Sequence, residues 1–372
     1  MNIAFTGYYG MNNYGDDLFV LASVYGANKY WGSSPEVIGS KVKGINADFK
    51  VTKFEGLYSG NGILNKLYRM QVMLAAFIKN DNIILAGGST ISSDTSIRMR
   101  RFQGQLMDLG LAKMSAIGVS IGPFSSEKDI IEAKNLLNKF EYISVRDQNS
   151  YNTLKELNIQ TPFILGRDIA GIIPSISSEK KIVNNSKILG VSICNYESYT
   201  GGSLKQENER NQAIISAIKR IGLKNKENII VRVCVLNTHS ELGDIAISNK
   251  LLKELNKQGI ETQRVIYEDD PLQMWEEIVS CDVFFSVRLH GAITAFLGEV
   301  PFVLVEYHEK CTSFLNDIEY NETLRIKADS KDEESIYIIL NKLFSESGVI
   351  SNLKPRDYMK DTQNTFLEAP WI

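Results

Sequence analysis

Residues 282–315 read DVFFSVRLHGAITAFLGEVPFVLVEYHEKCTSFL. Two strand-sized apolar runs, DVFFSV and VPFVLVEY, flank an apolar helical segment that opens at Gly291. Continuous apolar strands that alternate with helices are typical of a parallel sheet covered on both faces. The stretch therefore predicts a strand–helix–strand unit of an α/β protein.

The same alternation runs along the chain in two series. Pro174 ends the first series, and the polar segment SISSEKKIVNNSK that follows is typical of an interdomain linker. We therefore predict two similarly built α/β domains with a cleft between them. Their expected bounds are 1–174 for the first domain, 175–187 for the linker, 188–345 for the second domain and 346–372 for a C-terminal extension.

Composition excludes several classes of protein. The 372 residues are 44% hydrophobic and 23% charged, which is the balance of a globular protein with a full core. The formal net charge of -3, with lysine and arginine spread along the chain, argues against a dedicated nucleic-acid binder. No basic and apolar leader or membrane-length apolar run occurs, so we expect a cytoplasmic protein.

The cysteine and histidine patterns predict no metal site. The chain has four cysteines without a C-x-x-C pair and three scattered histidines without an H-E-x-x-H motif. Buried, reduced thiols are the preferred interpretation of the cysteines. No bound cofactor is expected.

The strongest site signal lies at the junction after the first of the two quoted strands. Arg288 and His290 follow a strand that ends at Ser286. Arginine offers a rigid fork for a carboxylate or phosphate, and histidine can donate or accept a proton near neutral pH. The helix N-terminus adds positive potential for an anion. Lys310, which follows the next strand, adds a cation at the same edge of the sheet.

Two junctions in the first half predict supporting contacts. The small-residue loop Gly87, Gly88 and Ser89 follows the strand NIILA, and such a loop suits an anion. Arg146 stands at the end of another strand, where it would point at the cleft. Pairing of Arg146 with Asp168 is the structural alternative, and the sequence leaves it open.

The loop GYYGMNNYGDDL at 7–18 resembles a phosphate loop but lacks its lysine. We expect Asp16 or Asp17 to cap the next helix, which would compete with a phosphate for the same amides. Asn12 and Asn13 would then offer neutral donors and acceptors to a hydroxylated ligand. A tight turn with a helix cap and no ligand is the alternative.

Four of these motifs together resemble the polysaccharide pyruvyl transferases. They are GYYGMNNYGDDL, LAGGSTISSD, ISVRDQNS and SVRLHGAITAFLGEVPFVLVEYHEKCTSFL, and they occur in the family's order from the first strand to about Leu315. The alanine and threonine of LAGGST depart from the family's longer glycine run. The resemblance implies a fold similar to glycosyltransferase-B, in which two Rossmann-like domains face each other across a cleft.

The resemblance also implies an activity and its site residues. It implies transfer of pyruvate from phosphoenolpyruvate onto a sugar of a surface polysaccharide or its lipid-linked precursor, often as a ketal. The family's arginine-x-histidine pair falls on Arg288 and His290, as anion clamp and general acid and base. We expect phosphoenolpyruvate in the second domain, and the acceptor against the first domain and the loop at 7–18.

Three alternatives remain open on the sequence. The chain could be a nucleotide-sugar-dependent glycosyltransferase of the same fold, or a non-catalytic glycan-binding protein. The stretch LNKLYRMQVMLAAFIK at 64–79 is apolar with interspersed basic residues. It fits a peripheral contact at the inner face of the membrane, where a lipid-linked acceptor would lie, or a core helix.

Overall fold

The computed structural model describes residues 1–51, 53–60, 62–93, 95–177, 186–239, 243–345 and 350–371. Its internal contacts define two compact units. The first unit comprises Met1–Met11, Asp16–Ile176 and Asp357–Ile372. The second comprises Asn12–Gly15 and Ser177–Arg356. Residues 178–185, most of the predicted linker, lie outside the described residues.

The first unit is built on a parallel sheet. Its strands are β1 (Ile3–Thr6), β2 (Glu36–Ser40), β3 (Asp48–Val51), β4 (Asn82–Ala86), β5 (Lys113–Val119), β6 (Ile143–Val145) and β7 (Phe163–Leu165). Within the described residues they lie in the order β3-β2-β1-β4-β5-β6-β7. Every residue of β1 and β4 is buried, as expected of strands that are covered on both faces.

Helices connect these strands. They are α1 (Tyr14–Trp31), α2 (Glu55–Ser59), α3 (Ile63–Lys79), α4 (Ile97–Asp108), α5 (Glu127–Leu137) and α6 (Gln148–Glu156), with a 3-10 segment at Ile169–Ser175. Side-chain caps fix where several of them begin. Asp147, for example, accepts a 2.8 Å hydrogen bond from the Ser150 amide at the start of α6.

The second unit repeats the same plan. Its parallel strands are β8 (Lys187–Ser192), β9 (Ile229–Val235), β10 (Thr262–Ile266), β11 (Val283–Ser286), β12 (Phe302–Glu306) and β13 (Ile326–Lys327). They lie in the order β10-β9-β8-β11-β12-β13 among the described residues. The two parallel α/β sheets confirm the predicted fold class.

Helices again follow the strands. They are α7 (Glu197–Thr200), α8 (Leu204–Lys224), α9 (Ile245–Asn256), α10 (Pro271–Val279), α11 (Leu289–Leu297), α12 (Glu309–Asp317) and α13 (Glu333–Ser345), with a 3-10 turn at Glu322–Leu324. The final helix is α14 (Pro355–Leu367).

Both sheets have the strand order of a Rossmann fold. In each, the first strand of the unit lies beside the fourth, and the order of connections reverses between them. Ligands of open α/β sheets bind beyond the carboxyl ends of the strands at this switch point. The expected positions are therefore the loops after β1 and β4 in the first unit, and after β8 and β11 in the second.

Asp357–Ile372, the larger part of the predicted extension 346–372, belongs to the first unit. Phe366 is buried against Trp31, with their ring centres 5.5 Å apart, and the Trp31 indole N–H donates to the Phe366 carbonyl at 2.8 Å. The hydroxyls of Ser144 and Thr365 share a hydrogen bond of 2.9 Å. A Cβ on Gly26 would lie 2.1 Å from the Phe366 ring, so α1 needs glycine there.

We predict that Phe366→Ala lowers the free energy of unfolding by about 3–5 kcal/mol, because it leaves a cavity between α1 and α14. The neighbouring Leu367→Ala is the matched control, since Phe366 is 0% exposed and Leu367 54%. The control should cost at most about 0.5 kcal/mol. Urea denaturation measures both. Equal losses would contradict the assignment of this segment to the first unit's core.

Candidate functional site

The junction of β11 and α11 places Arg288 and His290 at the switch point of the second sheet. The Ser286 hydroxyl donates to the Arg288 carbonyl at 2.5 Å and closes the turn. A Cβ on Gly291 would lie 2.5 Å from that hydroxyl, so glycine is needed where α11 begins. Arg288 precedes the helix and His290 lies in its first turn. Both side chains are therefore fixed at the carboxyl edge of the sheet.

Asp244 holds the guanidinium of Arg288. The Nε and Nη2 atoms donate to the two Asp244 carboxylate oxygens at 3.0 and 2.6 Å. Asp244 is fully buried, whereas the Arg288 side chain is 21% exposed. Burial raises the pKa of the Asp244 carboxyl, and the Arg288 charge opposes that rise. The bidentate pair fixes the orientation of the guanidinium and occupies one of its edges.

The segment Asn12–Gly15 of the opening loop is part of the second unit. Asn13 forms an antiparallel bridge with Asn237, just after β9. The Tyr14 amide donates to the Leu236 carbonyl at 2.9 Å, and the Thr238 amide donates to the Asn12 carbonyl at 2.9 Å. The segment therefore lies at the carboxyl edge of the second sheet, to which its backbone is hydrogen-bonded.

Gly15 packs directly against the catalytic candidate His290. A Cβ on Gly15 would lie 2.1 Å from the His290 Nδ1 and 2.7 Å from its Cγ. Tyr14, one residue earlier, shares a hydrogen bond of 2.7 Å with the Thr294 hydroxyl on α11. Glycine is thus required at position 15 because the imidazole occupies the space of a side chain.

Lys310 lies in the first turn of α12, which follows the neighbouring strand β12. Its backbone amide donates to the His308 Nδ1 at 3.1 Å, so His308 caps α12. His308 and Tyr307 both contact the ring of Tyr196, which follows β8. The thiol of Cys194 lies in the same loop, and burial raises its pKa to about 12, so it stays protonated.

In the first unit, Arg146 has the structural partner that the sequence left open. Its Nη1 donates to Asp168 at 2.8 Å and its Nε to the Ser120 hydroxyl at 2.7 Å. Burial opposes the charge, yet Asp168 and Asp147 raise the pKa of Arg146 above its ordinary value. The Ser89 hydroxyl lies 3.5 Å from Nη2, at the limit of a hydrogen bond. Arg146 is therefore buried in an ion pair.

The loop before Ser89 has the backbone that its glycines allow. Gly87 and Gly88 have φ angles of 72° and 79°, a region that side chains disfavour. A Cβ on Gly87 would also lie 2.4 Å from the Phe19 ring. Packing against α1 is therefore enough to explain why glycine is needed at position 87, and no ligand has to be invoked.

The expected cap by Asp16 or Asp17 is wrong. The helix begins earlier, at Tyr14, so both acids lie within its first turn. The Asp17 carboxylate instead accepts a 2.6 Å hydrogen bond from the Gly10 amide and closes the loop. The Asn13 side-chain oxygen accepts from the Gly15 amide at 3.3 Å. Helix α1 thus begins two or three residues before the expected caps, Asp16 and Asp17.

The structure adds Tyr14, Gly15 and Asp244 to the candidate site. Sequence reasoning missed Asp244, although an acid directly before an apolar helical stretch was a visible signal. It missed the role of Gly15 because the contact with His290 joins positions 275 residues apart in sequence. Among the described residues, no group of three or more His, Cys, Asp or Glu is placed to hold a metal ion. No described helix is long and apolar enough to cross a membrane.

Comparison with known proteins gives one family. The sequence pattern of the family described as polysaccharide pyruvyl transferase matches residues 13–309, which is most of the chain and includes Arg288 and His290. No curated protein sequence matches the chain.

Solved structures resemble the chain in fold at very low sequence identity. A UDP-GlcNAc 2-epimerase from Neisseria meningitidis bound to UDP-GlcNAc has a TM-score of 0.60 and 11% identity, over 98% of this chain and 97% of its own. Anabaena HepE in complex with UDP-glucose has a TM-score of 0.53 and 11% identity, over 99% and 94%. Sucrose-phosphate synthase from Thermosynechococcus elongatus has 0.55 and 8%, over 99% and 94%. These enzymes have the glycosyltransferase-B fold, which confirms the expected architecture of two Rossmann-like domains.

We predict that Gly15→Ala displaces the His290 imidazole, because the new methyl group would overlap it. The chain has three histidines, so carbon–proton NMR of histidine-labelled protein can follow each ring. The His290 signals should shift while those of His308 stay in place. Gly56→Ala is the matched control, since a Cβ added to that helical glycine would have no atom within 4 Å. Unchanged His290 signals in Gly15→Ala would contradict the contact.

A second prediction concerns the buried ion pair. Asp244→Asn leaves the Arg288 charge without its carboxylate and should lower the free energy of unfolding by about 3 kcal/mol. The control is Asp361→Asn, whose carboxylate lies 3.1 Å from Arg167 but is 43% exposed. That change should cost at most about 1 kcal/mol. A loss for Asp244→Asn as small as the control's would show that the pair contributes little.

Proposed function

We propose that this chain, which belongs to the polysaccharide pyruvyl transferase family, is a transferase that moves pyruvate from phosphoenolpyruvate onto a sugar of a surface polysaccharide or its precursor. One observation carries the proposal. Arg288 and His290, a guanidinium and an imidazole, lie at the start of α11 at the switch point of a Rossmann-type sheet. The family membership supplies the reaction class.

Phosphoenolpyruvate has a carboxylate and a phosphate, so its site needs several cationic or amide donors. The N-termini of α11 and α12 supply amides and positive potential, and Lys310 supplies an ammonium group. Arg288 adds a guanidinium whose Nε–Nη2 edge is held by Asp244. We infer that the substrate anion meets this guanidinium. Asp244 then serves as a positioning residue for the anion clamp.

His290 is proposed as the general acid and base. A proton moves from its imidazolium to the methylene carbon of phosphoenolpyruvate, which becomes a methyl group. A sugar hydroxyl forms a bond to the adjacent carbon and gives its proton back to His290. A second sugar hydroxyl then bonds to the same carbon and closes the ketal, while the bond between that carbon and the bridging phosphate oxygen breaks. The proton of the second hydroxyl leaves with the phosphate. The anion-binding groups stabilise the departing phosphate, and no metal or bound cofactor takes part in this proposal.

The acceptor is proposed to be a sugar or a lipid-linked glycan. Asn12 and Asn13 are exposed or half-buried amides beside the segment that packs on His290, and they would bind sugar hydroxyls. In the first unit, the loop Gly87, Gly88 and Ser89 stays a proposed acceptor contact. Arg146, being paired with Asp168, would act by holding Ser89 and Ser120 in place. Asp16 and Asp17 are assigned to shaping the loop. A lipid-linked acceptor places the reaction in the cytoplasm, at the inner face of the membrane.

A second candidate is a glycosyltransferase that uses a nucleotide sugar. Two structural neighbours that share the fold of this chain, HepE and the Neisseria epimerase, are complexes with UDP-glucose and UDP-GlcNAc. Their identity to this chain is 11%, so they bear on the fold rather than on the substrate. Calorimetry with UDP and with phosphoenolpyruvate distinguishes the two candidates. Tight binding of UDP and none of phosphoenolpyruvate would replace the leading proposal.

We predict that phosphate release from phosphoenolpyruvate depends on a glycan acceptor, and that His290→Ala lowers kcat at least about 100-fold because it removes the proton donor. His239→Ala is the control. His239 follows β9 in the second unit, is half-buried and has no proposed role in proton transfer. The kcat of His239→Ala should therefore differ little from that of the unmodified chain. The measurement is phosphate release with lipid-linked and nucleotide-linked sugars.

Two outcomes would overturn parts of this proposal. Near-normal turnover of a folded His290→Ala variant would remove His290 from its proposed role. Failure of every acceptor tested to stimulate phosphate release would overturn pyruvyl transfer itself.

A further inference from the structure

Exposed apolar side chains concentrate on one part of the first unit. Eighteen large apolar side chains are exposed among the described residues, and seven of them fall between Phe54 and Ile78. This segment holds α2 and α3. We call the seven side chains the α2–α3 face; they are Phe54, Leu57, Ile63, Leu64, Leu67, Leu74 and Ile78. A concentration of this kind marks an interaction surface rather than ordinary surface variation.

Helix α3 is apolar on two separate sides. Met73, Ala76 and Phe77 are buried in the core of the first unit, as a core helix requires. Leu67, Leu74 and Ile78 are separated by seven and four residues, so they share another side, and that side is exposed. Ile63 and Leu64 extend the same stripe towards the start of the helix. The core-helix interpretation is thus confirmed for one side of α3, and the peripheral membrane contact stays a prediction for the other side.

Phe54 extends the exposed surface beyond α3. Its side chain is exposed, and its backbone φ of 58° lies in the left-handed region, which is uncommon for a bulky residue. Its ring lies 6.4 Å from that of Tyr68 on α3, edge to face. The Tyr68 hydroxyl donates to the Lys53 carbonyl at 2.8 Å and ties the two segments together. The aromatic ring is therefore held beside the apolar stripe.

The charges of this segment have the sign that anionic lipid requires. Residues 53–79 contain four basic residues and one acidic residue, in a chain whose net charge is -3. Lys53 and Lys66 are exposed. Lys79 pairs with Glu36, and Arg69 donates to the carbonyls of Tyr58 and Gly60. Lys53 and Lys66 therefore flank the apolar stripe of α3, and Glu55 on α2 is the one carboxylate of residues 53–79.

We propose that the α2–α3 face binds the surface of an anionic lipid bilayer, with α3 lying in the plane of the headgroups. A helix with an exposed apolar stripe and basic flanks binds such a surface by burying the stripe and attracting acidic lipids. This inference rests on the proposed function in one respect: a lipid-linked acceptor would be presented at that surface. A second copy of this chain is a less favourable occupant, because like charges at 53 and 66 would meet.

Flotation with vesicles tests the proposal on the full chain. The probes are phosphatidylcholine vesicles with and without about 30% phosphatidylglycerol, a content that gives a strongly negative surface. We expect binding to the anionic vesicles, little binding to the neutral ones, and a loss of binding at high salt. Leu67→Glu should weaken binding at least about tenfold, because it removes an apolar side chain and adds a repelled charge. Lys66→Gln should weaken it about fivefold.

Matched controls separate this face from general surface effects. Ile131→Glu on α5 is the control for Leu67→Glu, since both side chains are 51% exposed. Lys128→Gln, also exposed on α5, is the control for Lys66→Gln. Both controls should bind vesicles as the unmodified chain does. Equal losses for test and control variants would overturn the proposal, as would binding that ignores lipid charge.

Two further measurements make the outcomes distinct. Sedimentation velocity that shows a dimer abolished by Leu67→Glu, with no vesicle binding, would assign the face to self-association and overturn the lipid proposal. Turnover with a water-soluble glycan acceptor should be the same for Leu67→Glu and the unmodified chain. If neither the unmodified chain nor Leu67→Glu turned over phosphoenolpyruvate with this acceptor, that result would count against pyruvyl transfer. It would leave the conclusion from vesicle binding unchanged.

Discussion

Parallel pairing of buried strands sets the positions of the helices, the loops and the candidate site in both units. Because every strand of each sheet runs in the same direction, each strand must be followed by a crossover, and all strand-to-helix junctions meet at one edge. In the second unit that edge brings together the starts of α11 and α12 and the loops after β8 and β9. Residues that are far apart in sequence thereby become neighbours, and helix N-termini add positive potential where anions would bind.

Two buried ion pairs then decide what the arginines at these edges do. Arg288 and Arg146 each stand at the end of a strand, and each is held by a carboxylate of its own unit, Asp244 or Asp168. The environments differ, however. Arg146 is enclosed by Asp168, Asp147 and Ser120, whereas the Arg288 side chain keeps 21% of its surface exposed. The partly exposed Arg288 suits an oriented anion clamp, whereas the enclosed Arg146 suits a rigid support for a loop.

Two short segments are assigned to a unit other than that of their sequence neighbours. Asn12–Gly15 belongs to the second unit, and Asp357–Ile372 belongs to the first. Asn12–Gly15 contributes to the candidate site, whereas Asp357–Ile372 contributes to the core of the first unit. Gly15 makes room for the His290 imidazole, whereas Phe366 and Trp31 fill the core around α1 and α14. The opening loop therefore needs glycine at position 15 because of a histidine far along the chain, and Asp17 closes the loop through the Gly10 amide.

The fold class and the residue types of the site in the second unit could be predicted from the sequence. Short apolar runs such as NIILA and VFFS that alternate with helical patterns are typical of strands covered on both faces, and the arginine-x-histidine motif directly follows such a run. Sequence patterns did not predict β3 and β13, because these strands have only four and two residues and too little apolar periodicity to be recognised. Only the tertiary structure decided that Asp244 orients Arg288, that Gly15 contacts His290 and that α3 is apolar on an exposed side. Each of these depends on which distant residues occupy the same space, and periodicity along one segment contains no information about that.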